Sequence, residues 1–543
     1  MIDAPSTVPP ASPLVVQVGF AGSRMLFDPA AHPGVDEAAF HQEVEAHLVS
    51  LLRDLPKTLC LTEHHFPCGI SSGAIGADTI FTRACKQRGI DQRIFLPERR
   101  EAFFAAIGSE NLPDFTPAQA AQTGEVLDSP HIIEERVVSI SRQRTQRFDD
   151  VNLEIVRVSD VCIAIRREGA QAKHAGTADF IGRASARKKL VHEIIVSVRD
   201  GHAHCEGRWL APDGQTVQPG PPHFAPPGVP PILGEFSIDP GARYAAELMR
   251  FTSDIADNRQ KFFKSAARWI IGTHVTATIL AVAGVAFLDG VEFVLAAFLL
   301  VEAIVLIYGY RTHRQLHHEN ALENWATARL ICETARSVLN AGQVRTYLQH
   351  LFLLPYPEPF RSVLRTLNIH HLRETRDLAS DTWPQRRAAY IRDRLHHDRE
   401  GQIPYYTTQR DKAWRWLRRA RRCFATFSIG AIVAVVAKLG LVSICALATS
   451  WHVHAPGAEH TLGFLTVVLP VLAVAALSLA ASFDLEARFL TYSEMVVVLE
   501  QHRDHLCTAA SEGEFHSLAL RTEARLVGEN VNWFSRRVFT KVS

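Results

Sequence analysis

Hydrophobic residues are distributed unevenly along this chain. Residues 14–200 carry short apolar runs separated by polar stretches, whereas four later stretches are almost continuously apolar, at 270–288, 291–308, 423–449 and 462–483. Each of the four is close to the ~20 residues that an α-helix needs to cross ~30 Å of hydrocarbon. The pattern predicts an α/β N-terminal domain followed by an all-α membrane module with four transmembrane helices in two hairpins.

Predicted strands and helices alternate in the N-terminal region. The predicted strands are the run that begins at Leu14 and the segments 58–62, 94–96, 161–165 and 191–198; the predicted helices are 37–54, 77–88, 152–158 and a stretch that begins near Gly176. Such alternation favours a mostly parallel sheet with helices on both faces, a Rossmann-like arrangement. Ligands bind to sheets of this kind at the carboxyl ends of the strands.

Three glycine-containing loops are suited to that position. Glycine lets a backbone approach a phosphate closely, and the helix that follows presents unpaired N–H groups and the positive end of its dipole. The candidate ligand-binding residues are Gly22, Ser23 and Arg24 in the first loop, Ser72, Gly73, Gly76, Ala77 and Asp78 in the second, and Gly176, Thr177 and Asp179 in the third. Arg24 either binds phosphate with two donors or forms a surface salt bridge. Asp78 and Asp179 either accept from a ribose hydroxyl or cap their helices.

Composition and motifs narrow the function classes. The net charge is +1 over 543 residues, so the chain lacks the basic field of a nucleic-acid binder, and no nucleic-acid partner is expected. The nine cysteines are scattered and odd in number, which indicates reduced thiols rather than a disulfide scaffold. The cluster of Cys60, His64, His65 and Cys68 lacks the spacing of a usual zinc finger, so no metal site is predicted.

The stretches VGFAGSR, SSGAIGADTIFTRACKQRGI and GTADFIGRA resemble the loops of the SLOG superfamily. This Rossmann-like nucleotide-binding group includes the LOG phosphoribohydrolases and the sensor region of TRPM channels. The resemblance covers about residues 12–200 and implies a nucleotide-derived ligand, with no other cofactor.

One departure from the LOG enzymes bears on catalysis. Those enzymes carry PGGxGTxxE, whereas this chain has KHAGTADFIG, with Phe180 where the catalytic Glu would stand. No catalytic residue is therefore assigned, and binding is favoured over turnover. A hydrolase would need another acid, for which Asp179 and Asp160 are the alternatives.

Lysine and arginine residues flank the apolar stretches asymmetrically. Basic residues precede the first and third stretches and follow the second, whereas the short segments 289–290 and 450–461 between paired stretches contain none. By the positive-inside rule, both hairpin tips are expected to be extracytoplasmic. The first 13 residues have neither a basic region nor an apolar core, so no secretory signal is expected. The predicted location is the cell inner membrane, multi-pass, with cytoplasmic N- and C-termini.

The two hairpins and their flanking helices predict an internal repeat. GQIPYYTTQRDKAWRWL before the third apolar stretch and GENVNWF near the C-terminus resemble SLATT domains, the two-helix membrane effector modules associated with SLOG sensors. The expected organisation is a nucleotide-binding domain at 12–205, a Pro/Gly-rich linker at 206–242, a first two-helix unit at 243–342, a cytoplasmic helical connector at 343–400 and a second two-helix unit at 401–543. The resemblance implies a bacterial effector that permeabilises the membrane in antiviral defence.

Ionisable residues occur within the apolar stretches. Glu302 and Lys438 are the candidate intramembrane residues, which either line a pore, pair with each other across helices, or serve a static role. Four spans barely enclose a water-filled pore, so conduction would require a homo-oligomer. Two other functions stay open: a membrane-anchored nucleotide N-glycosidase, and a non-conducting membrane scaffold.

Overall fold

The computed structural model describes most of the chain as two compact units. The described residues are 14–105, 115–170, 175–220, 223–228, 230–238, 242–288, 292–318, 320–344, 348, 351, 360–376, 382–397, 401–447 and 456–539. The first unit comprises Met1–Leu248 and Arg345–Ala379, and the second comprises Met249–Val344 and Ser380–Ser543. The 13 N-terminal residues, the first predicted hairpin tip at 289–290 and residues 450–455 of the second tip lie outside the described residues.

A seven-stranded sheet forms the centre of the first unit. Its strands are β1 (Leu14–Gly22), β2 (His65–Ser71), β3 (Gln92–Leu96), β4 (Ile132–Val137), β5 (Val161–Arg167), β6 (Leu190–Arg199) and β7 (His202–Leu210). The spatial order is β4-β3-β2-β1-β5-β6-β7, in which every neighbouring pair is parallel except β6 and β7. The order along the chain therefore reverses at β1, which lies beside both β2 and β5.

Helices cover both faces of this sheet. They are α1 (Glu37–Thr58), α2 (Ala77–Arg88), α3 (Arg100–Phe104), α4 (Pro117–Leu127), α5 (Arg144–Val158) and α6 (Thr177–Ala186). On one face, Phe40 of α1 and Phe81 of α2 pack with Val18 of β1. On the other, Ile155 of α5 and Phe180 of α6 belong to a second buried cluster. The first unit is thus the α/β Rossmann-like domain that the sequence predicts.

The strand predicted at 58–62 is wrong. Helix α1 continues to Thr58 because its buried leucines, Leu48, Leu52 and Leu55, recur every three or four residues on one helical face, which the buried C-cap residue Leu59 extends. The apolar run at 58–62 includes the end of that face, and β2 begins only at His65. The outer strands β4 and β7 are missing from the prediction because their polar residues obscure the apolar pattern.

Part of the predicted connector belongs to the first unit. Helix α10 (Phe360–Arg376) packs on the start of β1, where Ile369 and Leu372 join Val15 in a buried cluster. The backbone N–H of Val15 donates to Thr366 Oγ1 at 3.0 Å. The sheet domain is therefore completed by a segment more than 300 residues away in the chain.

The second unit is helical. Its helices are α7 (Tyr244–Phe287, of which the first five residues belong to the first unit), α8 (Glu292–His318), α9 (Ala321–Asn340), α11 (Trp383–Tyr390), a π-helix (Ile391–His396), α12 (Gln402–Leu447), α13 (Pro456–Ser482), α14 (Leu485–Thr508) and α15 (Glu512–Phe539). Four helical segments of the described chain are long and apolar enough to cross a membrane: Tyr244–Phe287, Phe293–His318, Gln402–Ile444 and Gly457–Thr508. Only 17%, 6%, 11% and 17% of their apolar windows are buried within the protein. Apolar surface this extensive is compatible with a membrane protein and unfavourable in water.

The same series of three helices occurs twice in this unit. Helices α7, α8 and α9 have 44, 27 and 20 residues, and α12, α13 and α14 have 46, 27 and 24. The second and third helices of each series meet at one non-glycine residue in the left-handed conformation, Asn320 (φ 45°) or Asp484 (φ 49°). In both places its N–H donates three residues back, to His317 or Ala481. This shared junction supports the internal repeat.

The stretches 401–417 and 528–534 meet in the second unit. The hydroxyl of Tyr406, from GQIPYYTTQRDKAWRWL, donates to Oε2 of Glu529, from GENVNWF, at 3.5 Å. The ring of Trp533, also from GENVNWF, lies edge-on to Trp325 of α9 at 5.0 Å between centroids. Burial raises the pKa of the Glu529 carboxyl above its ordinary value. These aromatic and charged residues join α9, α12 and α15 in one buried contact region.

Candidate functional site

The three predicted loops follow β1, β2 and β5, which are adjacent in the sheet. Gly22 is the last residue of β1, Ser72 follows β2, and Gly176 precedes the helix after β5. Because these strands are parallel, their carboxyl ends share one edge of the sheet. Chain order reverses at β1, so this edge contains the topological switch point at which doubly wound sheets bind ligands.

Two glycines allow the first and second loops to pack closely. A Cβ at Gly22 would lie 2.1 Å from the Cβ of Ala77 and 2.6 Å from Cγ2 of Ile165. Gly76 has φ +81°, and a Cβ there would lie 2.1 Å from the carbonyl oxygen of Arg24. The N–H of Ala77 donates to the carbonyl of Ser23 at 3.2 Å. Side chains larger than hydrogen would separate these loops, so both glycines are needed for their spacing.

Asp78 is a buried carboxyl group at this edge. It is 3% exposed, and Ser72 Oγ donates to its Oδ2 at 2.7 Å. Burial raises the pKa of Asp78 to about 7, although the Ser72 hydrogen bond and the Arg24 charge both oppose that rise. Gly76, rather than Asp78, occupies the N-cap of α2. Asp78 is therefore positioned as an internal polar group of the site and not as a helix cap.

Two arginine side chains lie over the ring of Phe148, and one of them, Arg24, interacts electrostatically with Asp78. The Arg24 guanidinium carbon lies 4.9 Å from the ring centroid and that of Arg144 lies 5.9 Å from it. Burial lowers the pKa of Arg24, and burial together with the charges of Arg24 and Arg147 lowers the pKa of Arg144. Arg147 Nη1 donates to Glu98 Oε2 at 2.5 Å. The charges of Arg24 and Arg147 disfavour the charged form of Arg144, whereas Glu98 favours it, and an anion bound beside Arg24 and Arg144 would favour it further.

The third loop is stabilised by its own contacts. Asp179 Oδ2 accepts from the N–H of Ala175 and from Nε of Arg183, both at 3.2 Å. Asn152 Nδ2 donates to the Ala175 carbonyl at 2.8 Å. Gly176 is the N-cap of α6 and Thr177 its first residue, with no side-chain cap hydrogen bond. Of the two roles predicted for Asp179, these contacts favour stabilisation of the helix start.

The alternative catalytic acids do not come together at this site. Phe180, which stands where the sequence comparison with the LOG motif expects a glutamate, is fully buried in the core. Asp160 precedes β5 and so lies at the amino edge of the sheet, opposite the glycine loops. Its Oδ2 accepts from the N–H of Gln17 at 2.8 Å and its Oδ1 from Arg365 Nη1 at 2.5 Å. Asp160 is a structural ion-pair residue in this fold.

The candidate intramembrane residues lie on different helices of the second unit. Glu302 is on α8 and Lys438 on α12, each half-buried. Lys438 Nζ lies beside α13, 3.3 Å from where a Cβ at Gly463 would be. Within the part of the chain that the structure describes, no ion pair joins Glu302 to Lys438. Pairing between them, one of the predicted alternatives, is not found.

The sequence does not single out Arg144, Arg147 or Phe148. All three belong to SRQRTQRF, an arginine-rich stretch that enters α5. That stretch follows β4, and because β4 is not predicted, nothing in the pattern places it at the carboxyl edge of a sheet. The density of arginine in this stretch is the one sequence feature that would have indicated an anion-binding region here.

No protein-family model matches this chain, and no curated protein matches it with significant sequence similarity. The site is therefore interpreted from its geometry and charge.

Proposed function

We propose that this chain is a bacterial membrane-bound sensor. Its α/β domain binds a nucleotide-derived signal at the carboxyl ends of β1, β2 and β5, and its membrane helices convert that binding into a change in bilayer permeability. The observation that carries the proposal is the pair of arginines, Arg24 and Arg144, over the ring of Phe148, beside glycine loops at the switch point of the sheet. The same chain has four helices long and apolar enough to span a membrane.

The chemistry of this edge supports the binding of a phosphate group. Phe148 contacts Arg24 and Arg144 by cation–π interactions, which restrain both guanidinium groups before a ligand arrives. A guanidinium offers paired N–H donors that match phosphate oxygens. The first N–H groups of α2, which begins at Ala77, supply further donors and a favourable dipole. Gly22 and Gly76 allow the two loops to pack closely at this edge, which brings Arg24 and the start of α2 together.

Transmission to the membrane rests on a difference in affinity. A ligand shifts a conformational equilibrium only if it binds one state more tightly than the other. The chain passes between the two units after Leu248, after Val344 and after Ala379, so three segments connect the sensor to the helical unit. The proposed output is a homo-oligomeric pore in the inner membrane, with the termini in the cytoplasm. Its role in antiviral defence rests on the resemblance to SLOG and SLATT proteins.

One observation favours a second candidate, a membrane-anchored nucleotide N-glycosidase. A general acid works best when its pKa lies near the working pH. Asp78 has a pKa of about 7 and lies beside the proposed phosphate site. It is therefore a better candidate acid than Asp160 or Asp179, whose carboxylates are bound in structural contacts.

A binding screen tests the proposal and separates the two candidates. The full chain, purified in detergent, would be screened for thermal stabilisation by nucleotides, including ADP-ribose derivatives and cyclic di- and oligonucleotides, and each ligand recovered by chromatography. The sensor requires a stabilising ligand that is recovered intact and that causes leakage from liposomes containing the protein. Recovery of free base and sugar phosphate would establish the enzyme instead.

The variant Arg24→Ala provides the residue-level test. It should weaken nucleotide binding about tenfold or more, because each charge-assisted hydrogen bond contributes about 1.5–3 kcal/mol. The exposed Arg53, which bonds Asp54 on α1, offers a matched control as Arg53→Ala. Equal affinity in wild type and Arg24→Ala would contradict the assignment of Arg24.

A further inference from the structure

A cavity lies at the amino edge of the sheet, opposite the glycine loops. Its volume is about 450 Å³. Residues from three parts of the first unit line it; the polar ones that matter here are Asp160, Lys188, Lys189, His223 and Arg365. Because Asp160 precedes β5 and Lys189 precedes β6, the cavity is at the ends of these strands where the chain enters the sheet.

Positive charge predominates in this cavity. Its carboxylate, Asp160, already accepts from Arg365 at 2.5 Å and from the N–H of Gln17 at 2.8 Å. Neither Lys188 nor Lys189 forms an ion pair with any residue that the structure describes. Arg365 bonds Asp160 through Nη1, and a guanidinium has five N–H donors, so further donors belong to the same group. The two lysines therefore add a net positive charge that Asp160 does not balance.

Lys188 reaches this position through an unusual backbone conformation. It follows the end of α6 with φ +57°, in the left-handed region that glycine adopts most readily after a helix. Its N–H donates to the carbonyl of Ser185 at 2.9 Å, and that of Lys189 donates to Ala184 at 2.9 Å. This turn ends the helix and directs the chain into β6, which places two successive lysines at the cavity.

We propose that this cavity is a second anion-binding site, which takes a small phosphate-bearing metabolite. Sites for ligands of this class have volumes of about 300–1,000 Å³, and the cavity falls within that range. Lysine ammonium groups and the remaining donors of Arg365 are suited to phosphate oxygens. Phe224 and Pro227 supply apolar wall for the rest of the ligand. The site is separate from the glycine loops and does not depend on their function.

Occupancy of this site would stabilise the packing of α10 on the sheet domain. The cavity is walled by the start of β5 and β6, by linker residues 223–228 and by Ser362 and Arg365 of α10. A bound anion would contact all three parts at once. Local opening of α10 and of the linker would then require loss of the ligand, and both segments should open less often when it is bound.

Pyrophosphate is a suitable probe, and its two possible sites can be separated by location. Binding to the detergent-solubilised full chain would be measured by thermal shift, with hydrogen–deuterium exchange to find the protected segments. The Arg24→Ala background removes a donor from the carboxyl-edge site. In that background pyrophosphate should still bind and should slow exchange in 223–228 and in α10. Protection confined to the glycine loops, or absent from both segments, would overturn the proposal.

Charge reversal of the lysines is the decisive variant. Lys188→Glu with Lys189→Glu should weaken pyrophosphate binding in this background at least about tenfold, since two charge-assisted contacts are lost. Lys57→Glu, an exposed lysine at the end of α1, is the control and should leave affinity unchanged. Lys188→Gln with Lys189→Gln should give a smaller loss and covers the case in which the double glutamate fails to fold. Unchanged affinity in the glutamine variant, with α10 still protected, would also overturn the proposal.

The result for this site is distinguishable from the result for the proposed function. If the lysine variants lose pyrophosphate binding while nucleotide binding still depends on Arg24, both sites exist. If only Arg24→Ala affects anion binding, the second site is rejected and the sensor stands. If only the lysine variants affect anion binding, the proposed sensor site is rejected and the anion site in the amino-edge cavity is supported.

Discussion

Gly76 lies directly against the backbone carbonyl of Arg24. A Cβ at position 76 would be 2.1 Å from that oxygen and 2.7 Å from its carbon, so the second loop fits against the first only because residue 76 has no side chain. The contact is between backbone atoms, and movement of a flexible side chain cannot relieve it. The position of the Arg24 side chain near Asp78 and Phe148 therefore depends on a glycine on another loop.

This contact predicts the effect of Gly76→Ala. The alanine would combine a left-handed φ of +81° with the backbone clash, and we expect destabilisation of about 3 kcal/mol or more together with loss of nucleotide binding. Gly89 is a matched control, since it has φ +65° but nothing within 4 Å of its Cβ position. Gly89→Ala should cost only about 1–2 kcal/mol and preserve binding. Similar thermal unfolding curves for the two variants would show that the clash is relaxed.

The burial of Asp78 predicts a pH-dependent stability. Its pKa is about 7 in the folded chain against an ordinary value of 3.8, so between these values the folded state holds more protons than the unfolded state. Stability then falls as pH rises through this window, and the full cost of ionising the buried carboxyl is present above pH 7. Asp78→Asn removes that cost and should be more stable than the wild type at pH 8, by an amount of order a few kcal/mol, but not at low pH.

Denaturant unfolding of the full chain in detergent at several pH values measures this difference. Asp54→Asn is the control, because the bond from Arg53 holds the pKa of Asp54 below its usual range and the residue stays ionised across the window. The difference between Asp54→Asn and wild type should be independent of pH from 5 to 8. A pH-independent difference for Asp78→Asn as well would mean that Asp78 is ionised in the folded protein throughout.

The sequence predicts the parts of this fold that have strong local signals. Gly22 ends an apolar run and Gly76 precedes a helix, so both loops and the strands β1, β3, β5 and β6 can be predicted from neighbouring residues, whereas the apolar run at 58–62 misplaces β2. The arginines of the site cannot, because β4 contains Glu134, Glu135 and Arg136 among its six residues and resembles a polar segment. Long-range contacts are also hidden: Val15 bonds Thr366, 351 residues away. The burial that raises the pKa of Asp78 likewise arises only from tertiary packing.

A buried ion pair in the second unit gives a third prediction. Arg394 donates from Nε and Nη2 to the two carboxylate oxygens of Glu523 at 2.8 and 2.7 Å, and the hydroxyl of Tyr390 donates to Oε1 at 2.8 Å. Both charged side chains are almost completely buried, at 3% and 1% exposure. Glu523→Gln would leave Arg394 buried without its hydrogen-bonded counter-charge and should destabilise this unit by about 3 kcal/mol.

Tryptophan fluorescence during unfolding in detergent would report that loss. The exposed pair of Arg503 and Asp504 provides the comparison, as Asp504→Asn. Solvent-exposed pairs contribute about 0–1 kcal/mol, so this control should change the midpoint very little. A small effect for Glu523→Gln, equal to that of Asp504→Asn, would indicate that water or another carboxylate reaches Arg394.

Lys438 distinguishes a conducting role of the membrane helices from an anchoring one. A lysine at the centre of a bilayer costs about 2.5–3.5 kcal/mol on insertion scales, and Lys438 forms no ion pair with a described residue that would offset this. Lys438→Met should therefore keep or raise the thermal stability of the chain.

If Lys438 faces the conducting path, as the proposed pore requires, Lys438→Met should also lower the permeability of liposomes to anions when the ligand triggers leakage. Leu439→Met, at an adjacent lipid-accessible position, should alter neither property. A scaffold would instead keep liposomes sealed in every variant, and a loss of stability in Lys438→Met would show that the ammonium group makes a structural contact.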